Sequence, residues 1–185
     1  MLSEPFVCID TETTGLRPER DRLIEVGLVR IQDGVEVDRF QTLLQPDVSL
    51  PEIITEITGI TDDDLADAPH FEDVAEEIAS FLDGALFVAH NAEFDYGFLK
   101  YEFARVGIDL SLSRLCTVRL SRMLYPEHRR HDLSSIIERY QFPIESRHRA
   151  FDDAYIVWQL LERMKGDFPE HELVRAMNKL RVSSR

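Results

Sequence analysis

Two carboxylates stand where an apolar strand runs out. In "VCIDTETTGL", residues 7–16, the run from Phe6 to Ile9 leads straight into Asp10 and Glu12. Alternate residues of an extended segment share a side, so both carboxylates project the same way. Two more acids occupy helix faces that a core would fill with leucine. In "AEFDYGFLKYEFARV", Asp95 shares a stripe with Leu99, Phe103 and Val106. In "AFDDAYIVWQLLERM", Asp153 shares one with Val157, Leu160 and Met164, and the adjacent Asp152 is an equal candidate for the inward position. Steps of three and four place residues on one side of a helix.

Burying these acids is costly. Each helical aspartate lies in a first turn, where the helix dipole favours negative charge by only ~0.3–1 kcal/mol, whereas an unpaired buried charge costs several kcal/mol. Four carboxylates converging on one pocket would repel one another and take up protons unless cations sat among them. Hard oxygen donors in that number suit magnesium or manganese, and the lack of cysteine ligands argues against a structural zinc.

The elements that must position these groups read as an α/β domain. Residues 5–10 form a strand, and "RLIEVGLVRI" and "VEVDRFQTLL" alternate apolar and polar residues around "QDG", a hairpin pattern. Thr61 reads as a helix N-cap. "FEDVAEEIASFLDG" is a helix with Phe71, Val74, Ile78, Phe81 and Leu82 on one face. "ALFVAHN" is a short apolar strand that precedes the Asp95 helix. "SRLCTVRLSRML" reads as a strand leading into a helix, and "HDLSSIIERYQF" precedes the Asp153 helix. Strands alternating with helices after an opening hairpin give a mixed sheet. Residues 1–166 are expected to form the domain and 167–185 a helical tail or linker.

A chain of 185 residues suits one domain, and 44 % hydrophobic with 30 % charged residues is ordinary for a globular protein. No apolar run approaches the ~18 residues a membrane span needs, and no secretory signal is visible, so a cytoplasmic protein is expected. Cys8 and Cys116 have neither metal-ligand nor redox spacing and are expected to be reduced. The formal charge of −14 is unevenly spread: residues 1–113 balance at −18, while residues 114–149, with 8 arginines, balance at +4. An acidic body with one arginine-rich segment can still guide an anionic strand once bound cations cancel the local carboxylates.

"IDTETTGL", "AHNAEFDYGFL" and "HRAFDDA" resemble, in order, the three motifs of the DnaQ-like, DEDDh 3′–5′ exonucleases. That group includes the proofreading epsilon subunit of bacterial DNA polymerase III. "ITEITGIT" followed by "APHF" is also similar to the stretch between the first two motifs. The resemblance covers residues 5–165. It implies a ribonuclease-H-like fold, a five-stranded mixed sheet flanked by helices, with two divalent ions (Mg2+ or Mn2+) held by Asp10, Glu12, Asp95 and Asp153. It selects Asp153 over Asp152, because His148 lies five residues before it, and implies His148 as general base. Histidine suits that role because its ordinary pKa of ~6.5 lies near working pH.

For substrate, the resemblance suggests Thr13, Thr14 and Leu16 near the terminal nucleotide, Ile60 wedged on the last base, Asn91 on sugar or phosphate, and Phe94 stacking. A core role for Phe94 and Leu16 is an alternative. The arginines between Arg114 and Arg149 are candidates for tracking phosphates. The implied activity is release of nucleoside 5′-monophosphates from the 3′ end of single-stranded DNA, in proofreading or repair, with a polymerase or other replication or repair subunit as partner. The alternatives are a 3′–5′ exoribonuclease and a subunit whose main task is partner binding.

Overall fold

A computed structural model describes residues 4–144 and 148–183. Three antiparallel strands open the chain: β1 (Phe6–Thr13), β2 (Leu23–Gln32) and β3 (Val35–Leu43). The hairpin between β2 and β3 closes on Asp33 and Gly34, both at positive φ (53° and 80°), the pairing that matches strand twist in a two-residue loop. β4 (Leu86–Ala89) joins β1 in parallel and β5 (Arg114–Cys116) joins β4, giving a five-stranded mixed sheet in the order β3-β2-β1-β4-β5.

Eight helices complete the described chain: α1 (Glu52–Thr58), α2 (Asp62–Leu65), α3 (Phe71–Leu82), α4 (Ala92–Arg105), α5 (Thr117–Leu124), α6 (Leu133–Tyr140), α7 (Ala150–Asp167) and α8 (Glu170–Leu180). Thr61 caps α2 as the sequence predicts, accepting from the Asp64 amide at 3.3 Å. Among the described residues no helix is long and apolar enough to cross a membrane. Both cysteines are free thiols, and full burial pushes the Cys8 thiol far above its ordinary pKa.

Strand alternation divides the core in two. Phe6 and Cys8 of β1, with Val29 and Ile31 of β2, join the apolar faces of α5, α6, α7 and α8. Val7 and Ile9, with Val26 and Leu28, join α3 and α4 on the opposite side. Each fully buried side chain of this size contributes about 1.5–3 kcal/mol. The same alternation carries forward, so Asp10 and Glu12 face α7 while Thr11 faces α4. The C-terminal helix shares the first core through Leu173, Ala176, Met177 and Leu180. Beyond it, Val182 and Arg114 exchange two 2.9 Å backbone hydrogen bonds that cover the β5 edge.

The start of α7 rests on β2 at Gly27, the strand partner of Asp10. A Cβ there would lie 2.3–2.4 Å from the Ala150 carbonyl group and the Phe151 amide nitrogen, all backbone atoms. Only a residue without a side chain allows this approach, which sets how close α7 comes to the carboxylate end of β1. Gly27→Ala is therefore expected to cost about 1–3 kcal/mol by overpacking and to displace α7. Urea unfolding would measure the loss, and a stability equal to wild type would show that the helix start adjusts freely.

Candidate active site

Glu12 at the end of β1, His148 in the loop before α7 and Asp153 in the first turn of α7 bring one ligand atom each within 4.8 Å of one another. Asp10 lies on the same strand face one alternation earlier. Asp95, in the first turn of α4, reaches the site from the other side of the sheet. Its Oδ1 accepts a 2.9 Å hydrogen bond from Thr11 Oγ1, so the residue between Asp10 and Glu12 anchors the α4 carboxylate. Asp10 and Asp95 are not part of the three-residue group at that spacing. Both helical stripes run as the sequence spacing predicts: Asp95 and Asp153 are 3 % and 4 % exposed, and Leu99, Phe103, Val157, Leu160 and Met164 are fully buried.

Two non-glycine residues adopt left-handed backbone here, Asn91 (φ 89°) immediately before α4 and His148 (φ 59°) two residues before α7. Asn and His tolerate this region better than most residues, and such outliers concentrate at functional sites. Burial pushes the Asp95 carboxyl up to about 7 against the opposing pull of the Thr11 hydroxyl. A carboxyl held half-protonated near neutral pH is suited to exchange its proton for a cation. With Glu12, Asp153 and the His148 ring nearby, the donor set fits a hard divalent ion.

The expected substrate residues divide. Leu16 is 81 % exposed on the turn after β1, so the core alternative for it is excluded. Asn91 is exposed, and Phe94 is half-buried with its ring 5.0 Å from that of Phe98. Thr13 and Thr14 are buried and hold the turn. Thr13 Oγ1 donates to the Gly15 carbonyl at 2.5 Å, while the Thr14 amide donates to the Arg22 carbonyl and its hydroxyl accepts from the Arg22 amide, both at 2.9 Å. Ile60, the expected wedge, is buried in this structure. It is 3 % exposed and packs with Ile24 and Leu65, because the turn in which its amide bonds Thr58 Oγ1 directs the side chain inward. His90 is a packed strand-end residue, with its ring nitrogens bonded to Thr117 Oγ1 (2.9 Å) and the His131 carbonyl (2.8 Å).

Several arginines of the basic segment are committed internally. Arg114 makes two 2.9 Å bonds to Glu93 and stacks over Tyr96, and Arg139 donates to the Arg130 carbonyl. Two fully buried carboxylates, Glu25 and Glu102, were not singled out by the sequence. Glu102 pairs with Arg22 at 2.7 Å and Arg105 at 2.9 Å, tying the turn after β1 to α4. The signal was present: Glu102 follows Asp95 by seven residues on the same helical face, and Glu25 occupies an inward position of an otherwise apolar strand.

Residues 7–161 match the RNase T exonuclease family. The chain belongs to that family. This exonuclease is 37 % identical over 175 residues to the PolC-type DNA polymerase III of Halalkalibacterium halodurans, covering 94 % of this chain and 12 % of that protein. It is 39 % identical over 171 residues to the 3′–5′ exonuclease DinG of Bacillus subtilis, covering 89 % of this chain and 18 % of that one. It thus spans less than a fifth of either relative. Its fold is similar to that of exonuclease X in complex with 5′-overhanging duplex DNA (TM-score 0.73, 26 % identity, 93 % and 99 % of the two chains). It also resembles the nuclease domain of 3′hExo, a DEDDh family member bound to rAMP (TM-score 0.76, 20 % identity, 90 % and 94 %). The ribonuclease-H-like fold implied by the motifs holds.

In this exonuclease, the Asp95 shift has a consequence for stability. The folded group titrates near 7 and the unfolded one near ~3.9. Without divalent ions, the unfolded chain ionises first as pH rises between those values, so stability falls across that window and levels off above it. Urea midpoints in EDTA should show this slope, and Asp95→Asn should flatten it. An unchanged slope in that variant would assign the effect to another group.

Proposed function

We propose that the chain hydrolyses phosphodiester bonds from the 3′ end of single-stranded DNA, releasing nucleoside 5′-monophosphates, as a proofreading or repair nuclease. The gathering of Glu12, His148 and Asp153 beside Asp10, with Asp95 anchored on Thr11, carries this reading.

Asp10, Glu12, Asp95 and Asp153 would hold two divalent ions, magnesium or manganese. When bound, such a pair stabilises charge on the attacking and leaving oxygens and acidifies the attacking water. An imidazole nitrogen of His148 would take the proton from that water, and its position in the loop before α7 leaves the ring aimed at the group formed by Glu12 and Asp153. The turn held by Thr13 and Thr14 would present Leu16 to the terminal nucleotide, with Asn91 on its sugar or phosphate and Phe94 stacking. The backbone bonds of Thr14 with Arg22 and the Glu102–Arg22 pair would keep that turn in register with α4.

DNA is favoured because the relatives are named as a DNA polymerase III and a 3′–5′ exonuclease, and exonuclease X is bound to DNA. The PolC relative also supports action beside a polymerase or other replication or repair subunit. The rAMP bound to 3′hExo keeps a ribonuclease as the second reading. Digestion of a 5′-labelled single strand separates them. A magnesium- or manganese-dependent ladder, abolished by EDTA and faster on DNA than on matched RNA, is the expected result. Internal cuts would point to an endonuclease, and faster RNA turnover would reverse the substrate order.

Asp10→Ala and Asp153→Ala should abolish cleavage while leaving the metal-free fold as stable as wild type or more so, because carboxylate repulsion is relieved. His148→Ala should lower turnover by about 10²–10⁴-fold with metal affinity intact. Loss of metal binding in that variant would make His148 a ligand instead of a base.

A further inference from the structure

Glu25 lies on β2 directly across from Glu12 in strand register, and its side chain faces α7 with no exposed surface. A carboxylate in that position needs donors on every side, and the structure supplies five hydrogen bonds from three residues. Arg149 donates from Nη2 at 2.7 Å and from Nε to both oxygens at 3.0 and 3.1 Å. The Ala150 amide donates at 2.9 Å, and Gln41 Nε2 donates at 2.9 Å from β3. Ala150 is the first residue of α7, so Glu25 satisfies one of the amides a helix start leaves unpaired and sits at the positive end of its dipole.

The placement of this clasp matters. Arg149 follows His148 directly, and Ala150 begins the turn that ends at Asp153. Both residues of the third motif are thus attached, within one helical turn, to the strand that pairs with Glu12. Gly27, two residues further along β2, lets the same helix start touch the sheet. Arg149 also spends its charge on Glu25, which keeps a fifth carboxylate from adding its negative charge to the group around Glu12.

We propose that Glu25 is a positioning residue for hydrolysis: clasped by Arg149 and the Ala150 amide, it fixes where His148 and Asp153 stand relative to Glu12. Glu25 acts through α7 and does not touch substrate. The proposal rests on the reading of Glu12, His148 and Asp153 as part of an ion-holding nuclease site. Groups that orient metal ligands from behind commonly change metal affinity or activity by about 10–100-fold when removed.

The test uses the whole chain with Glu25→Ala and Glu25→Gln, reading Mn2+ affinity by calorimetric titration, kcat and KM on a 5′-labelled single strand, and the melting temperature. Glu25→Ala is expected to weaken Mn2+ binding and lower kcat, each by about 10–100-fold, with KM unchanged. Glu25→Gln keeps an acceptor for the Ala150 amide and should recover part of both losses. Wild-type kcat and Mn2+ affinity in these variants, with only the melting temperature lowered, would leave Glu25 a structural role and overturn the proposal. If Glu25→Ala does not fold, Glu25→Gln and Arg149→Gln decide it by the same readouts. A wild-type chain that neither binds Mn2+ nor cuts the strand would remove the functional reading and this proposal together. An active wild type matched by its variants would remove this proposal alone.

Discussion

Asp95 and Asp153 each continue a helical stripe whose other members are buried leucine, phenylalanine, valine or methionine, so the fold places negative charge where solvent cannot reach it. That charge is the constraint on which the rest of the site depends. A dipole at a helix start supplies a fraction of the compensation, and one hydroxyl supplies a little more to Asp95. The remainder is uncompensated, and burial pushes the Asp95 carboxyl up to about 7.

The sheet makes this arrangement possible by sorting alternate residues of β1 to opposite sides. Asp10 and Glu12 meet α7, Thr11 meets α4, and three consecutive residues thus reach two helices that approach from different layers. The helices are then pinned by charges that take no part in ion holding. Glu102 with Arg22 and Arg105 binds α4 to the turn after β1, and Glu25 with Arg149 binds α7 to β2. Replacing such pairs with apolar groups is often tolerated elsewhere, because desolvation cancels much of their attraction. Here their value lies in direction, since a buried bidentate pair has one good geometry where an apolar contact has many.

Most of the architecture was legible in the chain because its signals are local. Period-two alternation marked the hairpin, helical stripes marked α3, α4 and α7, and Thr61 announced its cap. The metal-site candidates were legible for a different reason: Asp95 and Asp153 break an apolar pattern, and a break of that kind has few explanations. The burial of Ile60 could not be read from periodicity, because it goes with a turn closed by the Thr58 hydroxyl. Glu25 and Glu102 broke the same kind of pattern as Asp95, but their meaning lies in distant partners, Arg149 and Arg22.

The sequence by itself determined which residues carry charge into apolar surroundings, the alternation that aims Asp10 and Glu12 together, and the family to which the motifs belong. Only the tertiary structure decided that Glu12, His148 and Asp153 meet within 4.8 Å, that Asp95 hangs from Thr11, and that the third motif is held from behind by Glu25. The physical reason is that periodicity encodes the direction of a side chain relative to its own element. The distance between elements is set by packing, here by a glycine on β2 that lets α7 touch the sheet and by an ion pair joining residues 124 positions apart.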